Sequence, residues 1–183
     1  MKEQKVSKNS NNKISIELIK HRLEQAKDDI ESAEILFNNQ KLKASNNRAY
    51  YSIFHSMRAV LELDGKDFSK HKSVIAYFNK NYVNKGIFSK KLGHKISLSS
   101  KIRENSDYDV EFVANEIDTS IQIDTAQELY EKVEIYVNQK IKEFSMYKEP
   151  NKINEELNEV ETLTYNLGKK KSFCFHMFHK KTI

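Results

Sequence analysis

The sequence predicts an all-α protein, an antiparallel up-and-down bundle of about five helices between residues 15 and 147. Apolar residues recur at alternating spacings of three and four over long stretches, which is the period of an amphipathic helix. The 183 residues include one Pro and four Gly, too few for the many turns of an all-β protein. A chain of this length can bury a sizeable core, so we expect one helical domain with extensions.

Basic charge is concentrated at the two ends of the chain. The net charge is +5, but residues 169–183 contain five Lys and no acidic residue, so residues 1–168 are neutral overall. A broad nucleic-acid-binding face therefore cannot be inferred from the basic pI. We predict a disordered polar lead-in over residues 1–14. We also predict a C-terminal extension over residues 148–183, an acidic helix followed by a basic aromatic tail.

Three features predict a cytoplasmic protein with no membrane partner. No run of about 18 apolar residues is present, so no membrane-spanning helix is expected. The polar N-terminus is not followed by the apolar segment of a secretory signal. The single cysteine, Cys174, cannot form an internal disulfide, which fits a reducing compartment.

The first helix is predicted from Ser15 to about Asn39. Its apolar residues fall on a single stripe that is expected to face the core: Ile16, Ile19, Leu23, Ala26, Ile30, Ala33 and Phe37. The charged residues between them, including Arg22 and Asp29, are expected on a solvated face.

The second helix is predicted from Lys43 to Leu63 and is expected to be central. Asp64 and Gly65 follow it as a C-terminal stop signal. Aromatic and aliphatic residues cover more than half of its circumference. Such a helix contacts several neighbours rather than one.

Three further helices are predicted in the second half of the bundle. One begins at a cap near Ser69 and ends before Gly86, and a weaker one covers residues 87–105. A turn over residues 105–109 precedes a long helix from Val110 to Tyr147. The inward-facing residues expected in the last two helices include Leu98, Ile102, Val113, Ile117 and Ile121.

Arg48 and His55 are the candidate catalytic residues. They are seven residues apart in the second helix, which places both on one face about two turns apart. Arginine pairs with two phosphate oxygens, and histidine transfers protons near neutral pH. Together they can hold a phosphate and move a proton beside it. The alternative is a buried polar network that only fixes helix packing.

The segment from Asn47 to His55 resembles the signature of HEPN-domain proteins, the higher eukaryote and prokaryote nucleotide-binding helical domains. Two further segments agree with the same family: His71 to Phe78, and Arg103 followed by residues 106–108. The resemblance covers about residues 17–142. It implies an up-and-down helical bundle that often forms a homodimer.

The resemblance also implies two functions. In the ribonuclease members of the family, an Arg and a His with four to six residues between them form a metal-independent active site near the dimer interface. Arg48 and His55 match that spacing. Many such proteins are toxins that act alongside a small nucleotidyltransferase antitoxin, so we predict an endoribonuclease toxin of a toxin–antitoxin or phage-defence pair, without cofactor. The alternative is a non-catalytic HEPN protein that binds a nucleotide or a partner nucleotidyltransferase. A purely structural dimerisation bundle is a third possibility.

Four further residues are candidate substrate-binding residues. Asn47 can bond a phosphate or a ribose, and Tyr51 can orient His55 or stack on a base. His71 and Lys72 can reach a phosphate at the start of the third helix, although a histidine at that position can also be structural.

The C-terminal tail offers no complete metal site. Cys174, His176 and His179 lie close in sequence, but a structural zinc site needs four ligands and no second cysteine exists. We therefore predict no metal. The basic and aromatic residues of 169–183 can bind single-stranded nucleic acid or an anionic surface, with a loose solvated terminus as the alternative.

Overall fold

The computed structural model describes residues 14–108 and 113–146, and these residues form five α-helices and no strand. The helices are α1 (Ile16–Asn38), α2 (Leu42–Glu62), α3 (His71–Phe78), α4 (Lys90–Tyr108) and α5 (residues 116–146). A π-helical turn, Asn79–Val83, continues α3. The all-α prediction is confirmed. None of the described helices is long and apolar enough to cross a membrane.

The chain divides into two compact units, residues 1–139 and residues 140–183. The first unit contains the bundle that positions the candidate site. Of the second unit, residues 140–146 are described, where Lys140 pairs with Glu143 at 2.6 Å. The predicted lead-in, the acidic helix and the basic tail lie mostly or wholly outside the described residues, and the predicted domain boundaries stay a prediction.

Short polar signals determine where α1 and α2 begin and end. The Ser15 hydroxyl accepts a hydrogen bond from the Leu18 N–H at 3.2 Å and caps α1. The helix ends at Asn38, and Gln40, two residues later, has a left-handed φ of 58°. At the end of α2, Gly65 has a φ of 61°, and the Lys66 N–H bonds the Leu61 carbonyl at 3.0 Å. The predicted stop at Gly65 is therefore confirmed, because only a residue tolerant of positive φ closes the helix in this way.

Helices α1 and α2 run antiparallel and pack along their length. A short connection joins them, and small buried residues on both helices permit a close approach: Ala26, Ala33, Ala49, Ser52, Ser56 and Ala59. The Ser45 hydroxyl donates to the Ala33 carbonyl at 2.7 Å. The prediction that Arg22 and Asp29 are solvated was wrong, since they are 3% and 8% exposed. Both lie beside the alanines of α1 and pair with charged residues of α2.

The core of the bundle is built around α2, as predicted. Its largest fully buried side chains include Tyr50, Ile53 and Met57. They are joined in the core by residues of the other helices: Val74, Phe78, Leu92, Ile96, Ala126, Leu129 and Val133. The Gln122 side chain of α5 donates to the Asn46 carbonyl at 2.8 Å and links α5 to α2.

The boundaries of α3, α4 and α5 differ from the prediction. Lys70 holds the N-cap position of α3 without a side-chain hydrogen bond. The prediction of a turn over residues 105–109 was wrong for residues 105–108, because these continue α4. Helix α5 starts at residue 116 because Asn115 caps it, with Oδ1 accepting from the Asp118 N–H at 2.8 Å.

The first turns of α5 bury polar residues and expose apolar ones. Thr119, Gln122 and Thr125 are buried at this end of the helix. The prediction that Leu98, Val113, Ile117 and Ile121 face inward was wrong, since all four are exposed. Farther along α5 the apolar stripe is buried: Ala126, Leu129, Val133 and Val137. Periodicity gives the spacing of a stripe, whereas the neighbouring helices decide which of two adjacent stripes is covered.

Candidate functional site

Arg48 and His55 both contact the carboxylate of Asp29 on α1. Arg48 Nη1 donates to Asp29 Oδ1 at 3.0 Å, and His55 Nε2 lies 3.8 Å from Asp29 Oδ2. The two residues predicted to share one face of α2 therefore lie at one site. Its third member comes from the preceding helix, because α1 and α2 pack antiparallel at this level.

The site is partly open to solvent. The Arg48 side chain is 44% exposed, whereas that of Asp29 is 11% exposed. Burial raises the pKa of the Asp29 carboxyl, although the charge and the hydrogen bond of Arg48 oppose this shift. The carboxylate is thus held at the base of the site and the guanidinium at its rim.

His55 is a neutral imidazole at pH 7. Burial, followed by the charges of Arg58, Arg22 and Arg48, lowers the pKa of His55 to about 4. The contact with Asp29 at 3.8 Å is therefore not an ion pair at neutral pH. Nδ1 of His55 is buried without a hydrogen-bond partner among the described residues. Nε2 is thus the nitrogen available for proton transfer.

A second charged cluster lies one turn further along α2. Arg58 donates to Asp67 through Nε at 3.1 Å and through Nη2 at 2.8 and 2.9 Å. Arg22 Nη2 lies 3.4 Å from the same carboxylate, and Arg22 Nη1 donates to Glu62 at 3.2 Å and to the Arg58 carbonyl at 2.8 Å. Two guanidinium groups therefore meet at Asp67, close enough to His55 to depress its pKa.

An aromatic cluster extends from Arg48 to α3. The Arg48 guanidinium lies 4.9 Å from the centre of the Tyr51 ring, whose edge faces His71 at 6.2 Å between ring centres. His71 stacks on Phe54 at 4.1 Å. Tyr51 thus lies between Arg48, the candidate phosphate-binding residue, and His71 of α3.

His71 is held in a fixed orientation. Its Nδ1 lies 3.0 Å from the hydroxyl of Tyr50, which is 1% exposed. Burial, followed by the charges of Arg103 and Arg58, lowers the pKa of the His71 imidazole. The Tyr50 hydroxyl therefore fixes the orientation of this ring.

The other two candidates from the sequence, Asn47 and Lys72, make no hydrogen bond or ion pair with Asp29 among the described residues. Asn47 is half-buried, and its Oδ1 has no hydrogen-bond partner among the described residues. Lys72 is exposed and pairs with Glu104 of α4 at 3.4 Å. Among the described residues, no three His, Cys, Asp or Glu side chains are grouped as a metal site requires. Cys174, His176 and His179 lie outside these residues.

The sequence interpretation missed the partners supplied by α1 and by the connection after α2. Asp29 and Arg22 are seven residues apart, beside the apolar stripe of α1 and next to alanines. This position could have predicted their burial, because the small alanine side chains allow a neighbouring helix to come close to the charged residues one turn away. Asp67 carried no comparable signal, since it lies outside any helix.

The geometry combines a partly exposed guanidinium with a neutral imidazole. An arginine fork can bind two oxygens of a phosphodiester, and neutral Nε2 can accept a proton beside it. Asp29 can then stabilise the imidazolium that forms. The neighbouring rings of Tyr51 and His71 provide aromatic surface of the kind on which bases stack.

Comparisons with known proteins agree with the sequence resemblance. The sequence model of the family described as "HEPN domain" matches residues 19–136. The chain is 33% identical over 91 residues to a "UPF0332 protein" from Thermotoga maritima, which covers 50% of this chain and 69% of that protein. It is 36% identical over 97 residues to "Putative toxin MJ0605" from Methanocaldococcus jannaschii, covering 53% and 72%. A second protein of that archaeon, "Putative toxin MJ0142", is 26% identical over 116 residues, covering 63% and 74%.

Proposed function

The chain belongs to the HEPN domain family, and on this premise we propose that it is a metal-independent endoribonuclease. We propose further that it is the toxin of a toxin–antitoxin or phage-defence pair that acts in the cytoplasm. The names of the two archaeal relatives support a toxin role. Its partner would be a small nucleotidyltransferase antitoxin.

The convergence of Arg48 and His55 on one carboxylate at a partly open surface carries the proposal. The Arg48 side chain is 44% exposed while that of Asp29 is 11% exposed, so the guanidinium can reach a phosphodiester in solvent and exchange its carboxylate partner for it. Arg48 binds the scissile phosphate and stabilises the charge that develops on it. His55 accepts the proton of the 2′-hydroxyl through Nε2, and the carboxylate of Asp29 faces the imidazolium that results.

The leaving 5′-oxygen needs a proton donor as well. Each chain brings one His55, and a homodimer that joins two copies of the site supplies a second imidazole. The 2′-hydroxyl is the nucleophile, so RNA is cleaved and DNA is not.

The test compares wild type with His55→Ala and with a matched control, His94→Ala. His94 is an exposed histidine of α4. Growth arrest on expression and cleavage of total RNA in EDTA are measured for all three proteins. We expect arrest and cleavage for wild type and His94→Ala, and neither for His55→Ala. Equal cleavage by all three proteins, or cleavage by none, contradicts the proposal.

The alternative function is a non-catalytic HEPN protein that binds a nucleotide or a nucleotidyltransferase at the same site. One observation favours it: with its pKa lowered to about 4, His55 carries little of the protonated form that a general acid needs at pH 7. In that case wild type binds a nucleotide by calorimetry, Arg48→Gln binds it more weakly, and neither wild type nor His55→Ala cleaves RNA.

A further inference from the structure

Arg58 and Arg22 together form a binding arrangement for one small anion. Three N–H···O contacts between 2.8 and 3.1 Å join Arg58 to Asp67, and Arg22 Nη2 lies 3.4 Å from the same carboxylate. The guanidinium groups come from two helices and meet at one point. The carboxylate that they hold, that of Asp67, belongs to the connection between α2 and α3.

Asp67 is the exposed member of this cluster. Its side chain is 54% exposed, compared with 25% for Arg58 and 4% for Arg22. It follows the turn at Gly65 and lies in a stretch without regular structure. Glu62, by contrast, is borne by α2 and is 10% exposed. Because Asp67 is exposed and lies outside any helix, its carboxylate can leave the two guanidinium groups and another anion can take its place.

We propose that the Arg58–Arg22 pair is a second phosphodiester-binding subsite, which Asp67 occupies until the RNA backbone displaces it. A phosphodiester carries one negative charge and offers two oxygens to an arginine fork, as the Asp67 carboxylate does. The exchange therefore leaves the charge of the cluster unchanged. Glu62 stays paired with Arg22 and keeps that buried guanidinium in place.

The position of this subsite fits a strand that runs along α2. Arg48 and Arg58 are ten residues apart, about 15 Å along a helix axis, and His55 lies between them. Two phosphates of one strand can thus be held on either side of the imidazole. The Phe54 ring lies 5.5 Å from the Arg58 guanidinium and 4.1 Å from the stacked His71 ring, so aromatic surface accompanies the same path.

The inference rests on the proposed function for the identity of the ligand as RNA, so its test separates binding from cleavage. A labelled 2′-O-methyl oligouridine lacks the nucleophilic hydroxyl and cannot be cleaved by the proposed route. Its affinity is measured by anisotropy at several salt concentrations for the full chain. Cleavage of ordinary RNA in EDTA is measured separately.

We expect Asp67→Asn to bind the oligonucleotide about two- to fivefold more tightly, because the competing carboxylate is gone. Arg58→Gln is expected to bind the oligonucleotide more weakly. It is also expected to reduce the slope of log affinity against log salt concentration by about 0.7, because one phosphate contact is lost. The double variant gains nothing over Arg58→Gln. Glu128→Gln is the matched control. Glu128 of α5 pairs with Lys95 of α4 at 2.7 Å, so this substitution also removes one negative charge and frees one basic side chain.

Asp67 is an exposed residue outside any helix, so Asp67→Asn is expected to fold even if Arg58→Gln does not. Unchanged affinity in Asp67→Asn, or the same gain in Glu128→Gln, overturns the proposal. A titration with inorganic phosphate, followed at the Arg58 Nε–H by NMR, tests the anion site without RNA. We expect a saturable shift at lower phosphate concentration in Asp67→Asn than in wild type. No saturable shift overturns the anion site, and a shift without oligonucleotide binding overturns its assignment to RNA.

Discussion

The Nε2 atom of His55 lies 3.8 Å from Oδ2 of Asp29, while Oδ1 of the same carboxylate accepts a hydrogen bond from Arg48 at 3.0 Å. One carboxylate on α1 therefore faces both candidate catalytic residues on α2. Asp29 holds the Arg48 guanidinium by a hydrogen bond and weakens the positive charge that Arg48 presents. Changes at Asp29 are expected to act on ligand binding more than on the fold.

Replacing Asp29 with Asn is expected to leave stability within about 1 kcal/mol of wild type. The substitution removes an ion pair with an exposed arginine, but it also removes the burial cost that raises the pKa of this carboxyl. Urea unfolding at pH 7 measures the difference. The freed Arg48 is expected to bind 2′-O-methyl RNA about two- to fivefold more tightly, and Arg48→Gln is the control that loses this gain. Weaker binding by Asp29→Asn would contradict the interpretation.

His55 is expected to make folding stability depend on pH. Its pKa is about 4 in the folded protein against about 6.5 in the unfolded chain, so the unfolded state binds the proton first as pH falls. The stabilisation is complete above pH 6.5 and is lost between pH 6.5 and 4. After allowance for solvent screening, about 1–2 kcal/mol is expected to be lost between pH 7.5 and 5.

Urea unfolding of wild type and His55→Gln at both pH values measures this contribution. The variant is expected to lose less stability on acidification than wild type does. His71 acts in the same direction because its pKa is also lowered, and His71→Gln determines its share. An unchanged pH dependence in His55→Gln would show that the imidazole is not held neutral.

Replacing Arg22 with Ala is expected to destabilise the fold by about 3 kcal/mol or more. The Arg22 and Glu62 side chains are 4% and 10% exposed, so the substitution leaves a buried carboxylate without its partner. The double variant Arg22→Met with Glu62→Leu removes both charges, and it is expected to recover most of the loss. Urea unfolding of wild type, Arg22→Met, Glu62→Leu and the double variant gives the coupling energy. Additive losses would contradict the pairing.

Gly93 is expected to resist substitution despite the better helix propensity of alanine. A Cβ at this position of α4 would lie 2.9 Å from Cγ1 of buried Val83 and 3.1 Å from Oδ1 of Asn79. The overlap with the π-helical turn is expected to outweigh the propensity gain and to cost about 1–2 kcal/mol. Thermal unfolding of Gly93→Ala measures the cost, with His94→Ala as an exposed control on the same helix. A rise in Tm for Gly93→Ala would show that the turn can move.

Tyr50 is expected to set the tautomer of His71. Burial raises the pKa of the Tyr50 hydroxyl, which therefore keeps its proton and can donate it to His71 Nδ1 at 3.0 Å. The imidazole is therefore expected to carry its proton on Nε2. Long-range ¹⁵N NMR spectra are expected to show this tautomer in wild type and a mixture in Tyr50→Phe. The same Nε2–H tautomer population in both proteins would remove the positioning role from Tyr50.

Much of the fold follows from local patterns that the sequence contains in full. The stripe that begins at Ile19 and the stop at Gly65 identify α1 and the end of α2, because helix period and positive φ are properties of a few adjacent residues. The spacing of Arg48 and His55 likewise places both on one face of α2, since the geometry of a single helix decides it. The family resemblance rests on the same contiguous segments.

The tertiary structure decided what those two residues face. Asp29 reaches them from α1, and Asp67 reaches the neighbouring Arg58 from a connection without regular structure. The inward polar face at the start of α5 was decided in the same way, by which neighbours cover Gln122 and which leave Ile117 exposed. Local periodicity determines that a helix forms and which residues share its faces. The charges that meet across an interface are determined by long-range packing, which no single stretch of sequence contains.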